Sequence, residues 1–394
     1  MRAVLAYSGG LDTSVAIRWL VEQGYEVVAV AVDVGQREDF DEVRRRGMAA
    51  GAAEVRIRPA VERFASVFLA RAVKANGLYE GKYPMVSSLA RPLIAEEVVG
   101  VAREVGASVV AHGCTGKGND QVRFEAAFAV LAPDLAVLAP IRDAGIPREK
   151  ALTLAAEWGI PVADVAASYS IDENLWGRTA ECGPLEDAWA APPEDAFART
   201  APPNARPGEP TEVVVAFDRG VPIALDGAAL PLHRLIRRID ALGGAYGFGR
   251  VDMIENRRVG IKSRELYEVP GALALIAAHR ALEDLTLERE VGHFKPLVEQ
   301  RWAELVYDGQ WFSPLREALD AFIDATQAPV TGEVRLRFGP GTCEVVGRRS
   351  PHALYDLALA TYGPEDAFDQ SHAEGFVRLW GLPLRVWAAK QRPT

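Results

Sequence analysis

The sequence predicts a doubly wound parallel-sheet α/β domain over residues 1–165, an α+β domain over 166–362 and a C-terminal tail over 363–394. Two observations predict this. The first domain alternates short β-branched runs with helical patterns, the sequence form of βαβ units. From about residue 166 that alternation gives way to hairpin signals. Ala3–Tyr7 opens as a buried strand, and a Gly9-Gly10 turn leads into a helix over Asp12–Gln23. That helix puts Ile17, Leu20 and Val21 on one face, and Gly24 supplies its left-handed stop. Val27–Val32 is the second strand; Glu54–Arg58, Ser108–His112 and Ala136–Leu138 follow. Helical patterns fill the gaps at Phe40–Ala50, Val61–Ala75, Ala90–Val105, Asp120–Leu131 and Pro147–Trp158.

In the second domain Ala190–Pro210 is crowded with proline and alanine and reads as an irregular surface loop. Glu212–Phe217 and Val221–Leu225 flank Asp218-Arg219-Gly220 as a hairpin, and Glu333–Phe338 alternates apolar and charged residues before Gly339-Pro340-Gly341 turns the chain. The tail carries Phe368, Phe376, Leu379, Trp380, Leu382 and Trp387, too much apolar surface for a segment too thin to form its own core. It is expected to pack on a neighbouring subunit.

Composition narrows the function classes. The 394 residues carry 44 Lys+Arg against 54 Asp+Glu, a formal charge of −10, which disfavours broad contact with nucleic acid or anionic lipid. Hydrophobic residues at 49% and charged residues at 25% are those of a globular chain. Cys114, Cys182 and Cys343 include no CxxC pair, so neither a disulfide framework nor a cysteine-rich zinc site is expected, and a reducing compartment fits. The apolar run after Arg2 is too brief for a signal peptide, and Ala126–Ile141 is broken by Pro133 and Asp134, so a soluble cytoplasmic protein is expected.

The strongest motif is Ala6-Tyr7-Ser8-Gly9-Gly10-Leu11-Asp12-Thr13-Ser14, between the first strand and first helix. Two glycines let the backbone turn tightly, and the free amides of the helix start point at one spot that suits an anion. With hydroxyls from Ser8, Thr13 and Ser14 the loop would hold a pyrophosphate, and Asp12 would orient the loop or contact a phosphate-bound Mg²⁺. The plainer reading is a Gly-Gly turn with Asp12 as a helix cap. The Rossmann G-x-G-x-x-G is missing, and Gly113-Cys114-Thr115-Gly116-Lys117-Gly118 lacks the spacing and hydroxyl of a Walker A. Ser-Gly-Gly-x-Asp-x-Ser after a first strand resembles instead the PP-loop of the N-type ATP pyrophosphatases, which implies adenylation chemistry.

Four further segments carry polar chemistry. His112–Glu125 runs from the end of a strand into a helix, where ligands sit in such sheets, and brings Asn119, Asp120 and Arg123 within one turn, a set suited to an amino acid. His112 itself reads equally as a buried strand-end histidine and is given no role. Tyr83–Pro92 places Ser87 and Ser88 before a helix, on its own an N-cap. Tyr169–Gly183 is dense in polar groups beside Trp176, and alone would be a capped surface turn. Ile254–Gly271 is a charged stretch whose plain reading is a solvated face.

Taken together and in this order, the five segments resemble the argininosuccinate synthase family, from Val4 to about Leu382. The resemblance implies joining citrulline to aspartate with ATP, releasing AMP and pyrophosphate, in a cytoplasmic homotetramer of arginine biosynthesis, without nucleic acid or membrane. It implies that Ala6, Tyr7, Ser8, Gly9, Gly10, Leu11, Asp12, Thr13, Ser14 and Gly113 hold ATP, with Val32 on the adenine side. Thr115, Asn119, Asp120 and Ser87 would hold aspartate. Tyr83, Ser88, Asn119, Arg123, Ser170, Thr179, Glu255 and Tyr267 would hold citrulline, Arg123 at its α-carboxylate and Glu255 at its cationic or ureido end. Asp12, Asp120 and Arg123 carry the catalytic roles, with Asp120 orienting or deprotonating the aspartate amine. Ser87 and Thr179 stand where the family often has threonine and serine; both keep the hydroxyl. The rivals are another PP-loop adenylating synthetase, which would call for a reactive cysteine pair or a basic face for tRNA, and a non-enzymatic adenine-nucleotide sensor, which has no need for the Asp172–Glu181 and Glu255–Tyr267 segments.

Overall fold

The computed structural model describes residues 1–161 and 169–392. The expected domain boundary at 165/166 lies outside the described residues. Five strands, β1 (Arg2–Ala6), β2 (Glu26–Asp33), β3 (Glu54–Pro59), β4 (Val109–His112) and β5 (Ala136–Leu138), form a parallel sheet in the order β3-β2-β1-β4-β5. The chain builds outward from β1 to β3, then returns to the other side of β1, so the order reverses between β1 and β4. Ala6 pairs with His112 at their carboxyl ends, and the two following loops emerge side by side. This is where open α/β sheets bind ligands.

Helices cover both faces because strand side chains alternate. Leu5, Ala29 and Ala111 pack with Val15, Ile17 and Leu20 of α1 (Leu11–Glu22), while Val4, Val28 and Val110 face the opposite core. After β2 comes α2 (Phe40–Ala49). The expected helix over Val61–Ala75 is present as an unbroken run of α3 (Val61–Arg63), a π-helical segment over Phe64–Leu69 and α4 (Ala70–Lys74). α5 runs from Val86 to Glu104, four residues earlier than expected, after Met85 turns the chain in the left-handed region at φ 60°. Ser87 and Ser88 therefore lie inside the helix rather than capping it, and Pro92 removes the amide that would bond to the Ser88 carbonyl. α6 (Asp120–Leu131), α7 (Pro140–Asp143) and α8 (Arg148–Glu157) complete this half.

The second half contributes β6 (Ser170–Asn174), β7 (Gly177–Glu181), β8 (Thr211–Asp218), β9 (Val221–Leu225), β10 (Ala228–Ala229), β11 (Arg250–Asn256), β12 (Lys262–Glu268), β13 (Gly332–Gly339) and β14 (Thr342–Arg349). They form two antiparallel sheets, β10-β9-β8-β13-β14 and β11-β12-β7-β6. The expected hairpin is β8–β9, and the alternating Glu333–Phe338 run is in β13. The polar Tyr169–Gly183 segment, on its own a surface turn, is the β6–β7 hairpin. Four further helices lie outside the expected elements: α9 (Leu232–Ala245) and α10 (Pro270–Thr286) pack on these sheets, while α11 (Arg289–Tyr307) packs on α12 (Pro314–Thr326) and α5, and α12 also on α4. The Ala190–Pro210 stretch is irregular but pinned, because the Glu268 carboxylate accepts from the amides of Ala198, Arg199 and Thr200 and from Arg178.

Residues up to His352 form one compact unit, and the chain from Ala353 forms a second. The second unit holds α13 (Leu357–Ala360), α14 (Ser371–Trp380) and α15 (Leu382–Gln391). Within it Phe376 stacks on Trp380 at 5.8 Å, and Leu379, Trp380, Leu384 and Trp387 are exposed.

Candidate active site

The loop between β1 and α1 leaves the first amides of the helix without backbone acceptors. Gly9 sits at φ 78°, a conformation L side chains resist, and a Cβ there would meet Val43 at 3.0 Å. Arg46 Nη1 donates to the Gly9 carbonyl at 2.7 Å, fixing the turn from outside. Ser14 makes the first helical bond, to the Gly10 carbonyl, so the amides of Leu11, Asp12 and Thr13 have no acceptor within the helix. The Ser8 and Thr13 hydroxyls lie 3.1 Å apart at the rim. Ala6, Tyr7, Leu11 and Ser14 are buried, with Tyr7 Oη 3.3 Å from Ser14 Oγ, so they shape the loop from beneath. Burial raises the Asp12 carboxyl, opposed by Arg148. Gly113 closes the second side: a Cβ there would stand 2.8 Å from Thr13 Cγ2 and 3.1 Å from Thr13 Cα, so only glycine lets the end of β4 approach α1. Val32 is buried near the end of β2, with its carbonyl held by Gln36 Nε2. His112 is the buried strand-end histidine, its Nδ1 accepting from the Cys114 amide.

Beyond Gly113 the chain enters α6 and a web of charge. Arg91 Nη2 donates to Asp120 Oδ2 at 2.8 Å and to Asp172 Oδ2 at 2.7 Å, and Arg123 Nη1 donates to Asp120 Oδ1 at 2.9 Å. Burial pushes the Asp120 carboxyl up, but Arg91 and Arg123 outweigh it and hold it well below the usual carboxylate range. The Ser87 hydroxyl donates to Asp172, and the Thr179 hydroxyl reaches the Asp172 carbonyl at 3.4 Å. Among the described residues the buried Ser88 Oγ has no hydrogen-bond partner.

The sheet β11-β12-β7-β6 supplies the other wall. Asp172 pairs with Thr179 and Thr179 with Tyr267, a row across three strands, and period-2 alternation brings Glu181 and Glu265 to the same face. Tyr267 Oη donates to Glu255 Oε2 at 2.6 Å and Tyr307 Oη to Oε1 at 2.6 Å. Burial, then the charge of Glu265, raises the Glu255 carboxyl to about 7. Burial and Glu265 raise Glu181 likewise to about 7, against the pull of Arg257. Four tyrosines line this pocket: Tyr79 stacks on Tyr307 at 3.6 Å, Tyr83 stacks on Tyr267 at 4.1 Å, and Tyr83 meets Tyr307 edge-on at 6.3 Å. A cleft of about 780 Å³, lined in part by Tyr79, Asn256, Arg257, Arg258 and Asp308, opens beside them.

Of the expected site residues, Tyr83, Ser87, Asp120, Arg123, Thr179, Glu255 and Tyr267 are joined by these contacts, and Asn119 joins them through Nδ2, which donates to Tyr307 Oη at 2.8 Å. Thr115 and Ser170 are exposed. Arg91 and Asp172 fell inside the quoted motifs but carried no assigned role, because one sequence gives no partner for them. Tyr307, at the end of a helix far along the chain, lay outside every motif.

Sequence comparison then decides the family. Residues 2–161 match the profile described as arginosuccinate synthase N-terminal HUP domain, and residues 169–387 match the arginosuccinate synthase C-terminal domain. The chain belongs to the argininosuccinate synthase family. Proteins named argininosuccinate synthase from Bacillus licheniformis and Rubrobacter xylanophilus are 53% and 55% identical to it, over 99% and 98% of this chain and 97% and 95% of theirs. That from Bacillus subtilis is 52% identical over 98% of this chain and 96% of its own. The argininosuccinate synthase resemblance of the five segments thus extends across the chain, and the PP-loop motif lies in the matched HUP domain.

Proposed function

We propose that this chain is an ATP-dependent carbon–nitrogen ligase that joins citrulline to aspartate, giving argininosuccinate, AMP and pyrophosphate. The observation that carries this reading is the continuity of the segment 112–123. It presses Gly113 against Thr13 of the anion loop and leads directly to Asn119, Asp120 and Arg123 of the amino-acid pocket. This closeness supports reading two amino-acid grips of different charge beside one triphosphate cradle. That arrangement supports an adenylating ligase over a nucleotide sensor.

A ureido group is a poor electrophile. Its oxygen attacks the α-phosphorus of ATP, the bond to pyrophosphate breaks, and a citrullyl-adenylate forms. The aspartate amine then attacks the ureido carbon and expels AMP. The chain's own contribution is placement and charge stabilisation. The amides of Leu11, Asp12 and Thr13 receive the departing pyrophosphate. Glu255 takes the citrulline ammonium and Arg123 its carboxylate, with Tyr83, Ser88, Ser170, Thr179 and Tyr267 around them. Ser87, Thr115 and Asn119 hold aspartate. Asp120, clamped by the Arg91 and Arg123 guanidiniums, orients the aspartate amine, and the same two cations lower its basicity.

Among the described residues no group of three or more His, Cys, Asp or Glu is arranged to hold a metal by itself. Mg²⁺ needs only one or two carboxylates when phosphates supply the rest, and Asp12 at the start of α1 fits that requirement. Bound there with ATP, Mg²⁺ would neutralise pyrophosphate charge.

The enzyme works in the cytoplasm as a homotetramer, with the tail as its oligomerisation segment. No helix among the described residues is long and apolar enough to cross a membrane, and the exposed Leu379, Trp380 and Trp387 support a subunit contact. The direct assay is AMP release from ATP in the presence of citrulline and aspartate. AMP is expected only when both are added, and AMP that needs neither would overturn the reading.

A further inference from the structure

Tyr307 closes α11 and is fully buried, yet its hydroxyl and its carbonyl both bond to residues assigned to the citrulline pocket. Its hydroxyl donates its one proton to Glu255 Oε1 at 2.6 Å and accepts from Asn119 Nδ2 at 2.8 Å. Its carbonyl accepts from Arg123 Nε at 3.0 Å, and the Arg123 guanidinium lies 4.9 Å from its ring centroid. A single residue thus touches three of the groups assigned to citrulline. The contact is built in from the backbone: two residues on, Gly309 takes φ 79°, where a Cβ would stand 2.8 Å from Arg123 Cα. Only a glycine lets the end of α11 lie this close to α6.

We propose that Tyr307 is a positioning residue for the citrulline site, its hydroxyl orienting the Glu255 carboxylate and the Asn119 amide so that both meet the substrate in one fixed arrangement. The citrulline part rests on the function proposed above. The amide orientation follows from the bonding. With Nδ2 given to Tyr307, Asn119 Oδ1 accepts the Arg258 amide at 2.9 Å, so the side chain cannot flip without losing both bonds. At Glu255 the two phenol protons of Tyr267 and Tyr307 are the donors that favour the charged carboxylate. The other groups facing it are Glu265 on β12, Arg123 on α6, and Tyr79 and Tyr83 on the connector before α5. Burial and Glu265 oppose ionisation, while Arg123 and the two phenols promote it. Removing one phenol proton therefore moves ionisation of Glu255 to higher pH.

Tyr307→Phe keeps the ring on Tyr79 and the carbonyl on Arg123 and deletes only the hydroxyl. The test is a carboxyl-carbon NMR titration of Glu255 in the ligand-free protein, with citrulline and ATP binding followed by calorimetry. The expected midpoint rises from about 7 in the parent, citrulline binding at neutral pH weakens roughly tenfold, as for a lost hydrogen bond to a charged group, and ATP binding stays within about twofold. A midpoint unchanged in a protein that still binds ATP would overturn the proposal, since a purely structural tyrosine affects melting but not this titration. If the phenylalanine variant does not fold, 3-fluorotyrosine at position 307 keeps the shape and strengthens the donor. The midpoint should then fall, and an unmoved midpoint again overturns the proposal. A parent protein that binds ATP but no citrulline would count against the substrate, while the ligand-free titration still decides the role of Tyr307.

Discussion

Glu255 ionises near pH 7 in the free enzyme because burial and Glu265 outweigh its two phenol donors and Arg123. The sign of the consequence is fixed by which form binds. With Glu255 holding the citrulline ammonium, as proposed, the carboxylate is the form that binds, so the citrulline KM should fall as pH rises through about 7, while the ATP KM, assigned to backbone amides, should stay flat. Initial-rate measurements from pH 6 to 8.5 check this, and parallel changes in both constants would argue against the ammonium assignment. Stability runs the other way. A carboxylate raised in the fold adds a cost as pH climbs from its ordinary value toward 7, so Glu181 and Glu255 should make the ligand-free protein less stable across that window. Asp120, held low, contributes stability that is present above the ordinary carboxylate range and lost only in acid. The types of residue at this site were legible in the sequence, but their partners were not. Asp120 reads as a possible base in a string of letters and as a clamped anion once Arg91 is beside it. That pairing spans 29 positions, and no local pattern encodes it.

Among the elements, the first half was open to reading because each βαβ unit announces itself by apolar runs and glycine stops. The misreadings have physical causes. α5 starts early because Met85, not a capping hydroxyl, turns the chain, and tertiary burial of Val86, Ser87 and Ser88 overrides the proline signal at 92. The β6–β7 and β11–β12 strands hid because their pocket-facing side is polar. Asp172, Thr179, Glu181, Glu265 and Tyr267 replace the apolar alternation that marks a strand, and the buried Ala180 and Leu266 are too few to restore it. In the anion loop the two glycines are unequal. Gly9 carries the positive φ, whereas Gly10 is extended, at φ −81°, and a Cβ there meets only Ser8 Oγ at 3.4 Å. Gly9→Ala should therefore cost about 1–2 kcal/mol of stability, and Gly10→Ala less than about 0.5 kcal/mol. Gly113→Ala, driven against Thr13, should raise the ATP KM more than either amino-acid KM. Thermal denaturation and initial rates decide; equal melting of the Gly9 and Gly10 variants would contradict the loop geometry.

For the molecule as a whole, a tail with exposed Leu379, Trp380, Leu384 and Trp387 needs cover that its own short helices do not provide. Removing residues 363–394, or replacing Leu379 and Trp380 with aspartate, should reduce the mass seen in light scattering from a tetramer to smaller species. An unchanged mass would place the assembly surface elsewhere. At this scale the sequence was readable through its apolar excess alone, since nothing in one chain states where a second copy docks. The central claim is that the anion loop and the amino-acid pocket act on one bond, joining the citrulline ureido oxygen to the α-phosphorus of ATP. Citrulline carrying ¹⁸O in its ureido group, turned over with ATP and aspartate, tests it most directly: mass spectrometry should find one ¹⁸O in each AMP formed and none in argininosuccinate, whereas unlabelled AMP would contradict the account.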